Sequence, residues 1–159
     1  MTTLQLSKDP TVHVGMLIRR PAAEVFQAIV DPAITTKFWF TKSSGRLEPD
    51  ASVRWEWEMY DVADTVEVRR FEADRLVEFE WGSDGEPRTT VSFELTPLAD
   101  GTYVTVTQTG FTGDGDAIVS TVAASTGGFA FVLSAMKAWL EHGIVLRLVL
   151  DHMPKDLPG

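Results

Sequence analysis

Residues 113–142, GDGDAIVSTVAASTGGFAFVLSAMKAWLEH, read as one long helix around which the rest of the chain can be folded. Ile118, Val122, Phe129, Val132, Leu133, Met136 and Leu140 recur at steps of three, four and seven, so at 3.6 residues per turn they share one apolar face. Phe131, Ala135 and Ala138 form a weaker ridge roughly opposite Leu133. A helix of this kind needs a surface to cover, and residues 12–111 supply one, because they are mostly strand-like.

Val12, Val14, Met16 and Ile18 alternate with His13, Gly15 and Leu17 in a first strand that ends at Arg19-Arg20. Pro21 opens a short helix over about residues 21–30, with Val25, Phe26, Ile29 and Val30 on its buried side, and Asp31-Pro32 breaks it. A second helical turn follows, ahead of Phe38-Trp39-Phe40. From Gly45 the period changes to two: Val53, Trp55, Trp57 and Met59 oppose Arg54, Glu56, Glu58 and Tyr60. Further strands are expected over 62–71, around Val77, Phe79 and Trp81, over 89–96 and over 102–109, joined by the turns Ala73-Asp74 and Ala99-Asp100-Gly101. The expectation is an α+β chain, 1–159, forming a single domain with an antiparallel sheet and two short helices after the first strand.

The 14 Lys and Arg against 23 Asp and Glu give a formal charge of −9, and no basic block occurs, which argues against nucleic acid as a partner. Cysteine is absent, so disulfides and thiolate metal sites are excluded, and no signal peptide is recognisable; the expected compartment is the cytoplasm. The apolar tract 144–150 is interrupted by Arg147 and is much shorter than the roughly 20 residues of a membrane span.

No catalytic constellation is visible. His13, His142 and His152 lie in unrelated elements without metal-ligand pairing. Glu56, Glu58, Glu78 and Glu80 alternate with aromatic residues and so belong to the opposite face of the sheet. Gly110, Gly113, Gly115, Gly127 and Gly128 form no phosphate-binding fingerprint and read as turn and packing glycines, and Ser134 reads as a small spacer. The inner-face rings Trp55, Trp57, Phe79, Trp81 and Phe93 are more informative, because large rings on a concave sheet can leave space for an apolar guest.

Several local patterns together resemble a known family. They are Ile18-Arg19-Arg20-Pro21, the run 23–32 (AEVFQAIVDP) with Trp39, residues 75–81 (RLVEFEW), residues 102–111 (TYVTVTQTGF), and Gly128-Phe129 with Leu133, Met136-Lys137 and 140–143 (LEHG). This set is similar to the START-like, or SRPBCC, superfamily, in the branch resembling the C-terminal domain of the activator of heat-shock protein 90 ATPase. The resemblance spans about residues 12–143 and implies a helix-grip fold, in which a curved antiparallel sheet wraps the terminal helix around a cavity. Trp39, Trp55, Trp57, Phe79, Trp81, Phe93, Gln108, Phe129, Leu133 and Met136 are then the candidate cavity lining.

The leading functional expectation is binding of a small, largely apolar ligand, of lipid or aromatic polyketide type, without cofactor or metal. A cyclase- or hydrolase-type enzyme using the same cavity is the alternative, with a Glu, His or Gln108 as polar participant, and a chaperone-associated or stress-response interaction protein is a third. The sequence departs from the family pattern where residues 144–150 stay apolar beyond the helix. Two arrangements would cover that tail: a homodimer in which each tail packs on its neighbour, or a tail folded back at Gly143 onto its own chain.

Overall fold

The computed structural model describes residues 2–158. In chain order the elements are β1 Val12–Ile18, α1 Ala22–Val30, α2 Pro32–Thr35, β2 Lys42–Ser43, β3 Ser52–Trp57, a 3-10 turn Glu58–Tyr60, β4 Val62–Glu72, β5 Leu76–Gly82, β6 Thr89–Leu98, β7 Gly101–Thr109, α3 Gly115–His142 and α4 Leu148–Asp151. The seven strands make one antiparallel sheet in the order β1-β7-β6-β5-β4-β3-β2. Every neighbour after β2 follows a short hairpin, except that β1 crosses to β7 at the far end and so meets α3 directly. This is the helix-grip fold.

The period-two pattern sets which face is buried. Val53, Trp55 and Trp57 on β3, Val66 and Val68 on β4, Val77 and Phe79 on β5, Val91, Phe93 and Leu95 on β6, and Val104 and Val106 on β7 all lie in the core. A register shift between Val68 and Arg70 bends β4 against β5. On α3 the stripe of Ile118, Phe129, Val132, Leu133 and Met136 packs inward. The weaker ridge expected roughly opposite Leu133 divides: Ala135 is buried, contrary to that expectation, whereas Phe131 is exposed. Ala135 has only a methyl group, so its burial reflects how closely α3 approaches its neighbours rather than any apolar stripe.

Asp114 caps the start of α3, its carboxylate accepting from the Ala117 N–H at 2.8 Å, which places the first turn two residues after Gly113. Gly143, at φ 66°, closes the helix in the left-handed region. A second left-handed residue, Arg147 at φ 58°, turns the chain again, and α4 lies back against its own α3 and the end of the sheet. The folded-back arrangement of the tail is therefore the one adopted within the chain. By length and composition α3 could cross a membrane; its C-terminal half, with Phe129, Val132, Leu133 and Met136, is packed in the core.

Candidate functional site

The concave face of the sheet is filled by aromatic rings. Trp39, from the segment after α2, packs against Phe40, Trp55, Trp81, Phe93 and Phe129 with ring centroids 4.9–5.9 Å apart. Trp55 stacks on Phe40 at 4.3 Å and meets Phe79 edge-on at 5.2 Å. Such offset and edge-to-face pairs add to the area they bury, so this end of the fold is dense.

Open space lies at the mouth, where β3, β4 and β5 end near α3. The sequence predicts that Met59 and Tyr60 continue the β3 alternation, but β3 stops at Trp57. Asp61, at φ 53°, closes a 3-10 turn there and sends the chain back into β4. Met59 and Tyr60 thereby reach the rim of a groove of about 650 Å³ walled by Trp57, Val62, Trp81, Val149 and Met153, with Asp61, Asp64 and Lys155 at its edges. A second hollow, of about 180 Å³, is bounded by Trp39, Trp81, Ser125, Gly128, Phe129, Val132, Val149 and His152. A third, of about 240 Å³, lies between the 36–41 segment, Met59 and the tail residues Val145, Arg147, Val149 and Leu150.

Of the candidate lining residues, Trp39, Trp57, Trp81 and Phe129 border these hollows. Trp55, Phe79, Phe93, Leu133 and Met136 lie buried behind them. Gln108 is also buried; its amide donates to Thr89 Oγ1 at 2.8 Å, and the Trp81 indole N–H donates to the same oxygen at 3.0 Å. The Gln108 Oε1 has no hydrogen-bond partner among the described residues.

Gly127 and Gly128 differ from the packing role expected of them, because a Cβ added at either would meet nothing within 4 Å. Gly128 instead leaves room in the 180 Å³ hollow. Mid-helix glycine costs about 1 kcal/mol relative to alanine, and close packing recovers none of that here.

The groove is bound to the tail through Tyr60, whose hydroxyl donates to the Val149 carbonyl. Burial, and then the charge of Asp151, push that hydroxyl above the usual phenol range, so it stays a protonated donor. His152 Nδ1 lies 2.6 Å from the same carbonyl and must carry the proton, since a carbonyl only accepts. The His152 ring lies 5.1 Å from Phe131, which explains how the exposed Phe131 is partly covered. His13 and His142 are exposed. A polar depression of about 450 Å³ beside the groove carries Glu56, Glu58, Asp61 and Asp84 with Arg54. Among the described residues, no three His, Asp or Glu side chains are grouped to hold a metal ion.

The sequence missed the tail contacts. A Tyr60 hydroxyl pairing with a main-chain carbonyl 89 residues away leaves no local pattern. The available signal was the unexplained apolarity of residues 144–150.

Comparison with known proteins agrees with this architecture. Residues 19–141 match the model of the family described as Activator of Hsp90 ATPase homolog 1-like protein. Protein SSP2350 of Staphylococcus saprophyticus is similar in structure, with 29% identity, a TM-score of 0.75 and coverage of 87% of this chain and 96% of its own. DynU16, a protein of the dynemicin biosynthetic locus, shares 26% identity at a TM-score of 0.76 over 87% of this chain and 49% of its own. The Aha1 dimer of Colwellia psychrerythraea has the same fold at 18% identity and a TM-score of 0.73, covering 84% and 98% of the two chains. No curated protein matches the sequence.

Proposed function

We propose that this chain, which belongs to the Activator of Hsp90 ATPase homolog 1-like family, binds a small, largely apolar ligand at the mouth between the end of the sheet and the C-terminal tail. The observation that carries this reading is the groove of about 650 Å³, whose walls are two tryptophans, two methionines and two valines. The likeness to DynU16, from a biosynthetic locus, supports a small-molecule ligand. Binding is preferred to catalysis because the polar groups at the mouth do not converge: Tyr60 and His152 are both committed to the Val149 carbonyl, and Gln108 is sealed in the core.

The test is titration with fatty acids, flavonoids and steroids, followed by tryptophan emission and melting temperature. Trp57 and Trp81 should report the ligand, and at about 100 Kd it should add ~2.7 kcal/mol of stability. If none of the three classes changes either signal, the reading falls.

Self-association is a second reading, favoured by the outer surface of α3. From Ala117 to Met136 the helix has no charged residue, Val119 is exposed, and the Thr121 and Thr126 hydroxyls donate to the helix's own Ala117 and Val122 carbonyls. Ile144, Val145 and Leu146 remain exposed nearby in sequence even with the tail folded back. In a chain of charge −9, an uncharged face is where two copies can meet with least repulsion. The Aha1 dimer of the same fold supports this. Sedimentation equilibrium at micromolar concentration should give twice the chain mass, and Val119→Glu should reduce it to one; a monomeric wild-type mass removes this reading.

A further inference from the structure

The three hollows at the mouth have one wall in common, because Val149 of α4 lines each of them. We infer that they are compartments of one ligand site and that residues 144–157 form a displaceable strap across it, with Val149 as the partition. The inference rests on the apolar-ligand reading and adds to it a ligand size and an entry step.

The strap is held lightly. Its helix has four residues, and Leu148, Val149 and Leu150 are only part-buried, whereas Trp55, Phe79 and Leu133 in the core beneath are buried almost completely. Among the described residues, the Tyr60 side chain reaches over to hold its backbone, at the Val149 carbonyl and, at 3.3 Å, the Leu150 carbonyl. The strap turns on two left-handed residues, Gly143, which caps α3, and Arg147, which precedes α4. Segments with few buried contacts and few tertiary hydrogen bonds are the first to open in a folded protein. Opening this one removes no ring from the aromatic core.

The side chain that leaves is the one a guest would replace. Val149 meets the space beside Trp57 and Trp81 on one side and beside Trp39 on the other, so an apolar molecule could regain those contacts as the valine withdraws. Without the partition the site accepts a molecule too long or too wide for any single compartment, such as an extended acyl chain or a fused-ring compound. With it in place, Trp39 and Trp57 are buried and Trp81 is part-buried.

Nile red, a neutral apolar dye, tests this with the full-length chain, together with Val149→Ala and Tyr60→Phe. Bound dye should accelerate hydrogen exchange at the Asp151 and His152 amides, which bond to the Arg147 and Leu148 carbonyls in the closed strap. Tyr60→Phe should raise the dye association rate about tenfold, the scale set by one hydrogen bond. Dye that binds the variants but not the wild type also supports the strap. If dye binds the wild type with exchange unchanged or slowed at both amides, or if Tyr60→Phe leaves the rate unaltered, the strap is a fixed wall; the inference fails and the apolar-ligand reading stands. If no dye binds the wild type or either variant, the apolar-ligand reading fails and takes the strap with it.

Discussion

The two halves of α3 belong to one continuous helix but obey different physical demands. From Phe129 onward the helix is an anchor: Phe129, Val132, Leu133, Ala135 and Met136 are buried. Its last turns are also tied to the sheet, where Lys137 Nζ donates to the Leu17 carbonyl at 2.7 Å and Glu141 accepts from the Arg19 N–H at 2.9 Å. Before Phe129 only Gly115 and Ile118 are buried, and after Asp116 the exposed positions are alanine, valine, serine and threonine. This half contains Gly127 and Gly128, which weaken the helix without serving any close packing. One half holds the fold together and the other borders open space. The contrast shows that an amphipathic period identifies which face is inward without saying how much of that face is needed for stability.

The most severe way to break the comparison is Met136→Asp. An unpaired carboxylate in this packed stripe costs several kcal/mol, comparable with the ~5–15 kcal/mol that stabilises a domain. No cooperative melt is expected by circular dichroism, while Met136→Leu should lose less than about 1.5 kcal/mol. A cooperative, unshifted melt for the Asp variant would mean the C-terminal half is not the anchor.

Glu141 sharpens the same contrast through pH. Burial pushes its carboxyl up, but the Arg19 N–H, the Lys137 hydrogen bond and nearby positive charges together outweigh that and hold it below the usual carboxylate range. A depressed folded pKa contributes stability that is complete above the unfolded pKa and is lost as pH falls through the folded one. Glu141→Gln should therefore cost about 1–2 kcal/mol at neutral pH, and its stability should vary less than that of the wild type between roughly pH 5 and 3. Denaturant melts across that window check it; parallel curves would show that the tie to β1 contributes nothing.

Gly128→Ala probes the other half with the smallest expected effect and the opposite sign. Alanine should stabilise the protein by about 1 kcal/mol, since its methyl group enters open space. It should also weaken ligand binding by narrowing the 180 Å³ hollow. A gain in stability with unchanged Nile red affinity would separate that hollow from the site.

Much of this was legible in the chain. Alternation of Trp55, Trp57, Phe79, Trp81 and Phe93 with charged residues fixes their shared face, because period two is a geometric property of a strand. The α3 stripe was legible for the same reason at period 3.6. Other features depend on contacts between distant segments. Lys137 looks like a surface residue one step beyond Met136, yet its amine reaches a β1 carbonyl 120 residues earlier. Tyr60 appears to be the polar side of a strand until Asp61 turns the backbone. The apolar tail was visible as an anomaly, but its covering by Tyr60 and Phe131 was not, since neither residue announces a partner.

The bonds from Lys137 and Glu141 have a consequence for behaviour in a crowded solution. Among the described residues β1 is an outermost strand, with β7 on one side and no strand on the other, and a bare strand edge invites another polypeptide to add itself. At the end of β1, two main-chain groups that such an intruder could use, the Leu17 carbonyl and the Arg19 N–H, are already occupied by side chains of α3. The opposite margin, β2, offers only two residues. The final turns of the helix thus act as an edge guard against fibril-like growth, and loss of these two bonds should show as aggregation on storage in addition to the lower stability.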